Sequence, residues 1–217
     1  MLVVLLGPPG VGKGTQGERL ARALGVPKIA TGDLLRAAVK ARTPMGLAAQ
    51  AAMDRGDLVP DEVILGIVRD VLAGPDAAKG AVLDGVVRTV PQAEGLRAAL
   101  ASLGRPLDLV MLFDAPANEL VRRLSGRTTC DTCQTPYNGR EPGERCEKCG
   151  GTLVRRADDD PASVRRRIEV YEAQTAPVIA WYRAHGPRVA TVNAVGNADD
   201  VGARMHAALT VVKPAKP

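Results

Sequence analysis

The chain has 217 residues, of which 46% are hydrophobic and only 2% aromatic, and its formal net charge is +5. This length suits one large domain or a domain with insertions, and alanine, leucine and valine must form most of its core. No apolar run is long enough to span a bilayer, and the opening apolar segment is too short for a signal peptide, which predicts a cytoplasmic protein outside the membrane. A positive net charge suits a protein that binds polyanions.

The first predicted element is a short strand that runs into a glycine-rich turn. Residues 2–6 are wholly apolar, and the segment GPPGVGKGTQ follows them. Three residues have the phosphate-loop spacing G-x-x-x-x-G-K, namely Gly7, Gly12 and Lys13. A helical pattern starts at Lys13, so free backbone N–H groups and the positive end of a helix converge there. The turn predicts a nucleoside triphosphate site, with Lys13 on the β- and γ-phosphates.

The hydroxyl residue of this loop is displaced by one position. Gly14 follows the lysine, where phosphate loops usually carry Ser or Thr, and the hydroxyl comes one residue later at Thr15. This displacement argues against a generic ATPase or GTPase. A glycine-rich turn without a ligand is the alternative, and the strand and helix on either side of the turn disfavour it.

Four further apolar segments predict strands, at residues 26–30, 80–85, 107–115 and 188–194. Helical patterns fill the gaps, for example at residues 92–103 and 117–124. This alternation predicts a parallel sheet covered on both faces, in which ligands bind outside the carboxyl ends of the strands. The phosphate loop, the segment TGDLLR after the second strand and Asp84 after the third all lie at that edge.

Two segments interrupt the alternation and predict insertions over the ligand edge. Residues 31–59 are helical and polar, whereas residues 126–159 are rich in Gly, Cys, Pro and Arg and have no long periodic element. The core then comprises residues 1–30, 60–125 and 160–217. The last segment, TVVKPAKP, predicts a frayed end.

All the cysteines of the chain lie in the second insertion, as Cys130, Cys133, Cys146 and Cys149. The spacing C-x2-C-x12-C-x2-C is typical of a tetrahedral zinc site, and four thiolate ligands leave no open position for water. We therefore predict structural Zn²⁺ that organises a segment too poor in apolar residues to fold alone. Two disulfides are the alternative, which a reducing compartment disfavours. A nucleic-acid-binding zinc ribbon is disfavoured by the near absence of aromatic residues.

Arginine is concentrated where the insertions meet the core, at Arg36, Arg88, Arg122, Arg123, Arg127, Arg155, Arg156 and residues 165–167. For Arg122, Arg155, Arg165 and Arg166 we expect a solvated helix face. The remaining arginines suit phosphoryl transfer, because two nucleotides that meet end to end bring several negative charges together. No general-base motif is evident, and this chemistry requires none.

Seven segments, in order and spacing, resemble adenylate kinases with a long zinc-bearing lid: GPPGVGKGTQ, TGDLLR, DLVPDE, LDGVVRTVPQA, SGRTTC, RRADDDPASVRRR and VNAVG. The resemblance runs from residue 1 to about residue 212. It implies the α/β fold of P-loop nucleoside monophosphate kinases, with a nucleoside monophosphate-binding insertion at 31–59 and the lid at 126–159. It also implies Mg²⁺-dependent, reversible transfer of the ATP γ-phosphoryl to AMP, giving two ADP, by a monomer that contacts neither nucleic acid nor membrane.

The resemblance also implies roles for individual residues. The residues that match the ATP site are Gly10, Val11, Gly12, Lys13, Gly14, Thr15, Arg127, Pro136, Tyr137 and Gly196. Those that match the AMP site are Thr31, Arg36, Asp57, Leu58, Val59, Gly85, Val86, Val87, Arg88, Gln92, Arg156 and Arg167, with Gln92 reading the adenine. Catalytic roles fall to Lys13 and Arg88, to Arg123, Arg156 and Arg167 around the transferred phosphoryl, to Asp84, which orients the waters of Mg²⁺, and to the lid-to-core pair Asp158 and Asp159.

Two positions depart from the family pattern. Val86-Val87 replaces the Phe-Pro expected before the AMP-binding arginine, and Pro136 lacks the N–H usual beside Tyr137. A cis bond costs about 2.5–4 kcal/mol between ordinary residues, against about 0.5–1 kcal/mol before proline, so we predict a trans Val86–Val87 bond. We also expect the smaller Val86 to contact the adenine less and to weaken AMP binding.

Two alternative functions stay open at this point. The first is a GTP:AMP phosphotransferase or another nucleoside monophosphate kinase, because base contacts on the donor side are largely made by backbone. The second belongs to another class, a non-catalytic zinc- and nucleotide-binding module that contacts RNA. That module would bind RNA in a salt-sensitive manner and form no ADP.

Overall fold

The computed structural model describes residues 1–210. The predicted frayed end, TVVKPAKP, lies outside the described residues except for Thr210, which is the last residue of a helix. No helix within residues 1–210 is both long enough and apolar enough to cross a membrane. The strands are β1 Leu2–Leu6, β2 Lys28–Ala30, β3 Ala81–Asp84, β4 Leu109–Asp114, β5 Arg127–Cys130, β6 Pro136–Asn138, β7 Leu153–Val154 and β8 Val189–Asn193. The α-helices are α1 Lys13–Leu24, α2 Thr31–Lys40, α3 Pro44–Arg55, α4 Asp61–Ala73, α5 Val90–Ser102, α6 Ala117–Ser125, α7 Pro161–Val170, α8 Ala176–His185 and α9 Ala198–Thr210.

The central sheet has five strands in the order β2-β3-β1-β4-β8, and each pairs in parallel with its neighbours. The predicted parallel sheet with flanking helices is therefore confirmed. The second strand starts at Lys28, two residues later than expected. Gly25 ends α1 in the left-handed region, and the Val26 amide still donates to Ala21 O at 3.0 Å, so the helix end occupies the first residues of the predicted strand.

The core lies on both faces of this sheet, as the alternation of side chains along β1 shows. Val4 and Leu6 pack on the side of α4, α5 and α8, whereas Val3 and Leu5 pack on the side of α1 and α9. Successive side chains of a strand point to opposite faces, so a strand covered on both faces is apolar throughout. Phe113, the single phenylalanine of the chain, is fully buried in β4.

The two insertions have the local structure expected from their composition. The first, residues 31–59, contains α2 and α3 and no strand. The second, which we call the lid (residues 126–159), carries a small antiparallel sheet in the order β6-β5-β7 and a single turn of 3₁₀-helix. Both connect to the core at the end of the central sheet where β1 and β3 deliver the phosphate loop and Asp84.

Candidate active site

The phosphate loop joins β1 to α1 in a conformation that requires glycine. Gly7, Gly10 and Gly12 all have positive φ, and a Cβ on Gly7 would lie 2.4 Å from Phe113 O. No side chain caps the N-terminus of α1, so its first backbone N–H groups are free to bind an anion. Lys13 Nζ donates to Gly7 O at 2.6 Å and to Pro8 O at 2.9 Å, which holds the ammonium beneath the loop.

Two adjoining cavities lie over this loop. The first, of about 210 Å³, is lined by many of the predicted residues: Gly10, Gly12, Lys13, Gly14, Thr15, Arg36, Asp84, Gly85, Val87, Arg88, Arg123, Arg127, Pro136, Arg156 and Arg167. The second, of about 70 Å³, is lined by Thr31, Asp57, Val59, Gln92 and Asp158. The predicted residues that line both cavities are Arg36, Leu58, Gly85, Arg88 and Arg167. Arg88 and Arg167 therefore stand where the two cavities meet.

The walls of these cavities hold several positive charges, most of them half-buried. Burial lowers the pKa of Lys13 to about 8, although Asp84 opposes the shift, and it lowers the pKa of Arg156 to about 9. Desolvation by the surrounding protein and the neighbouring Arg167 also lower the pKa of Arg88, although this residue is exposed at the cavity. The Arg156 Nε is buried and has no hydrogen-bond partner within residues 1–210. The lowered pKa values show that the protein disfavours the charged forms of these groups, and the Arg156 Nε lacks a partner. A cluster of such cations indicates a binding site for a polyanion.

Asp158 and Asp159 connect the lid to the core. Arg167 Nη1 lies 2.9 Å from Asp158 Oδ2 and 3.0 Å from Asp159 Oδ1. Arg127 forms a bidentate ion pair with Asp159. Burial opposes ionisation of Asp158, but Arg167, Arg127 and Arg156 outweigh it and hold the pKa of Asp158 below its usual value. Asp159 thus connects Arg127 at the start of the lid to Arg167 of α7.

The lid also touches the first insertion and α1. Arg36 Nε donates to Gln134 Oε1 at 3.3 Å, and Lys40 Nζ donates to Asp131 O at 3.0 Å. Lys148 of the lid pairs with Glu18 of α1 at 3.1 Å. Both insertions therefore cover the carboxyl edge of the central sheet.

Arg123 and two predicted ATP-site residues form a separate contact. Arg123 donates to Val11 O at 3.4 Å, to Ala194 O at 2.9 Å and to Gly196 O at 3.2 Å, and its Nε pairs with Glu119 Oε1 at 2.8 Å. The side chain thereby connects the phosphate loop to the loop after β8. Val11 and Gly196 line neither cavity and contribute carbonyl groups to this connection.

Two other predicted residues point away from the cavities. Val86 is fully buried in the core cluster beneath α4 and α5 and lines neither cavity, which differs from the expected position beside an adenine. Strand alternation in β6 places Pro136 and Asn138 toward the first cavity, and the Tyr137 hydroxyl lies 3.2 Å from Cys146 Sγ. The described residues contain no cis peptide bond, so the Val86–Val87 bond is trans, as predicted.

The four arginines expected on solvated faces, Arg122, Arg155, Arg165 and Arg166, are all exposed. The first cavity also has wall residues that were not predicted from the sequence: Pro9, Lys28, Asp33, Gln134, Asn138, Tyr171 and Thr175. Asp33 stands inside the segment TGDLLR and pairs with Arg36, so its motif was a usable signal. Gln134 has no such signal, because only the packing of the lid on α2 brings it to the cavity.

The cysteine cluster fits a four-thiolate metal site. The Sγ atoms of Cys130, Cys133, Cys146 and Cys149 all lie within 4.8 Å of one another, and the Cys130–Cys149 and Cys133–Cys146 pairs are 3.5 and 3.6 Å apart. A tetrahedral site with Zn–S bonds of about 2.3 Å separates its sulfur atoms by roughly 3.8 Å. All four cysteines are free rather than paired as disulfides, and the amides of Thr132 and Cys133 lie 3.4 Å from Cys130 Sγ.

Comparison with known proteins gives a consistent result. The family model described as adenylate kinase matches residues 5–187. The adenylate kinase of Gemmatimonas aurantiaca is 63% identical over 213 residues, which cover 97% of this chain and 100% of that protein. The adenylate kinase of Thermodesulfovibrio yellowstonii is 48% identical, with 93% and 95% covered, and that of Syntrophotalea carbinolica is 50% identical, with 86% and 88% covered.

Proposed function

The chain belongs to the adenylate kinase family, and from this membership we propose that its paired cavities transfer the γ-phosphoryl of ATP to AMP. An oxygen of the AMP phosphate attacks the γ-phosphorus, the bond to the β,γ-bridging oxygen breaks, and two ADP result. The observation that carries the proposal is that Arg88 and Arg167 line both cavities, while Lys13 and Arg156 line the first. A loose transition state needs charge and positioning there rather than a general base.

We assign the first cavity to ATP. The free amides at the start of α1 and the Lys13 ammonium are placed to hold its phosphates, supported by the geometry of the phosphate loop. The Asp84 carboxylate and the Thr15 hydroxyl line the same cavity and offer the oxygen donors that Mg²⁺ prefers. Mg²⁺ supplies neutralisation of the triphosphate charge when ATP is bound.

We assign the second cavity to AMP. Arg88 would bind the phosphate at the junction, and its Nε already donates to Gly85 O at 3.3 Å, which fixes the turn that carries it. Thr31 Oγ1 donates to the same carbonyl at 2.7 Å. The inner wall, with Leu35, Val59 and Ile64, is apolar enough for a purine, and Gln92 is its polar group.

Arg123, Arg156 and Arg167, which all line the first cavity, would surround the transferred phosphoryl, with Arg127 in the same wall. Arg156 and Arg127 come from the lid and Arg167 from α7, so their convergence depends on lid closure. The unpaired Nε of Arg156 supports this role, because a buried donor without a partner is unfavourable and a bound phosphoryl oxygen would pair with it. Closure would also exclude water, which otherwise competes for the γ-phosphoryl.

We further propose that the cysteine cluster holds structural Zn²⁺. The metal would supply cross-linking of the two CxxC turns, and four protein thiolates leave no position for catalytic water. We propose a cytoplasmic location, because a reducing compartment keeps such cysteines available as metal ligands. We propose a monomer, because the residues of one chain alone complete both cavities. Gel filtration with light scattering tests the last point.

The activity is tested by incubating the protein with Mg²⁺-ATP or Mg²⁺-GTP and each nucleoside monophosphate in turn. The expected result is diphosphate formation that is fastest with ATP and AMP. Preference for GTP would favour the GTP:AMP phosphotransferase, and salt-sensitive RNA binding without any diphosphate would favour the non-catalytic module. Formation of one ADP and inorganic phosphate without AMP consumption would indicate an ATPase and overturn the proposal.

A further inference from the structure

A closed set of hydrogen bonds surrounds the side-chain amide of Gln92 in the wall of the second cavity. Gln92 Nε2 donates to Asp61 Oδ1 at 2.7 Å, and Gln92 Oε1 accepts from the Arg88 backbone amide at 2.7 Å. The side chain is buried, with 1% of the residue exposed. These contacts join the start of α4 to the start of α5, two segments separated by almost thirty residues.

The two partners fix which end of the amide is which. A carboxylate accepts hydrogen bonds and donates none, so it can face only the NH₂ group of Gln92. A backbone N–H donates and accepts none, so it can face only the amide oxygen. The reversed amide would place two donors together at Arg88 and two acceptors together at Asp61. Both mismatches would be buried and unfavourable.

Asp61 is itself held in place by Thr89. The Thr89 hydroxyl donates to Asp61 Oδ2 at 3.0 Å and accepts from the Gln92 backbone amide at 3.2 Å. Its single proton therefore points at the carboxylate. Asp61 lines neither cavity, so it reaches a ligand only through Gln92.

The fixed amide presents a defined pair of groups to the second cavity. A primary amide has two N–H donors and two oxygen lone pairs, and one of each is already used. One donor and one acceptor remain, side by side. The N1 and 6-amino positions of adenine offer an acceptor and a donor that match this pair. In hypoxanthine and guanine N1–H is a donor and the 6-oxo group is an acceptor, so these bases match only the reversed amide.

We propose that Asp61 is a positioning residue that makes the second cavity select 6-aminopurine over 6-oxopurine nucleoside monophosphates. The inference rests on the proposed function, in which the second cavity binds the phosphoryl acceptor. Gln92 contacts the base, and Asp61 fixes the orientation of the Gln92 amide. Selectivity of this kind arises because the wrong base leaves buried polar groups unpaired.

The test compares Asp61→Ala and Asp61→Asn with the unaltered protein, using AMP and IMP as acceptors at saturating Mg²⁺-ATP. In Asp61→Ala, KM for AMP should rise about tenfold through loss of the fixed amide, while kcat and the KM for ATP change less than about twofold. The ratio of kcat/KM for AMP to that for IMP should fall about tenfold or more. Asp61→Asn keeps the size of the side chain, but the new amide can turn either its oxygen or its NH₂ group toward Gln92. The ratio of kcat/KM for AMP to that for IMP should therefore fall by an intermediate factor.

Glu62→Gln is the matched control. Glu62 is an exposed carboxylate in the same first turn of α4, so its loss removes the same charge at the same helix end without contact to Gln92. This variant should keep the AMP-to-IMP ratio of the unaltered protein. Thermal unfolding of all variants separates a loss of stability from a loss of selectivity.

A purely structural role of Asp61 would raise KM for AMP and IMP by the same factor and leave their ratio unchanged in both variants. That result would overturn the inference while the protein still converted ATP and AMP to ADP. If the unaltered protein formed no ADP, the proposed function itself would fail. The two failures are therefore distinguishable in one set of assays.

Discussion

Among single residues, Lys13 and Arg88 are the cations whose charge the proposed transfer depends on most directly. Changing either one to alanine should reduce kcat by several orders of magnitude, because these charges act mainly on the transition state. The fold should persist, since Lys13 donates only to two loop carbonyls and Arg88 Nε to one. Steady-state kinetics and circular dichroism of each variant measure the two effects separately.

Arg122→Ala provides the matched control for these substitutions. Its side chain is 72% exposed on α6 and pairs with Glu119, next to the half-buried Arg123. This variant removes one positive charge from the same region and should keep kcat within about twofold, since exposed ion pairs contribute little. Equal losses in Arg122→Ala and Arg88→Ala would mean that only net charge matters, and the assignment of Arg88 would be wrong.

The lowered pKa of Lys13 predicts a pH dependence. Burial brings the pKa from 10.5 to about 8, so free enzyme loses this charge above pH 8 and kcat/KM for ATP should decline there. Bound triphosphate restores the proton, so kcat should decline only at higher pH. The folded pKa lies below the unfolded value, so the charged form of Lys13 destabilises the fold fully below about pH 8. This destabilisation declines as the pH rises from about 8 to 10.5.

Rate profiles between pH 6 and 10 at limiting and saturating ATP measure both curves. A kcat/KM that stays constant to pH 9.5 would contradict the burial of a titrating Lys13 ammonium. The rates need correction for any loss of folded protein, which circular dichroism at each pH provides.

At the scale of elements, the lid is the part of the molecule with the least core of its own. Its buried cluster consists of Cys130, Cys146 and Leu153, and β7 is only two residues long. Metal removal by a chelator should therefore lower Tm and loosen the lid, because thiolate ligation supplies the energy that packing does not. Slow kinase activity should survive at low temperature, since the phosphate loop belongs to the core.

Differential scanning calorimetry with and without chelator measures this effect, and added Zn²⁺ should restore the original Tm. The sulfur spacing alone does not identify the metal, so metal analysis of the purified protein accompanies the scan. A Tm that is the same before and after complete metal removal would contradict the structural role of the site.

At the scale of the whole molecule, the first insertion and the lid meet over the site, through the Arg36–Gln134 and Lys40–Asp131 contacts. Contacts of this kind between two insertions would have to break if the insertions separate to admit substrates. We predict that both insertions move as near-rigid bodies about hinges near residues 31, 59, 126 and 160. Spectroscopic labels at the exposed residues Ala51 and Glu141 should lie many ångströms farther apart without ligand.

A bisubstrate analogue should shorten that distance to its value in the closed form. The labels must be attached through non-natural amino acids, since thiol chemistry would attack the metal ligands. A pair at Ala98 in α5 and Glu172 after α7, both in the core, is the control and should show no change. If the Ala51–Glu141 distance is the same with and without the analogue, the closing motion is excluded.

Much of this organisation could be predicted from local patterns. The apolar run of β1, the glycines of the phosphate loop and the helical pattern from Lys13 together predict a strand, an anion site and a helix, because each depends on neighbours in sequence. The C-x2-C spacing likewise predicts a metal site from two short turns. The ends of strands were predicted less accurately. At β2, for example, the amides of Gly25 and Val26 bond to carbonyls of α1, so the strand starts later than predicted.

The sequence by itself therefore determined the alternation of strands and helices, the phosphate loop, the thiolate set and the family. Tertiary structure decided which side chains meet, as with Asp61 and Gln92, 31 residues apart, and Arg36 and Gln134, 98 residues apart. It also decided that Val86 lies in the core. The physical reason is that periodicity and turn chemistry act over a few residues, whereas a contact between distant side chains depends on how whole elements pack.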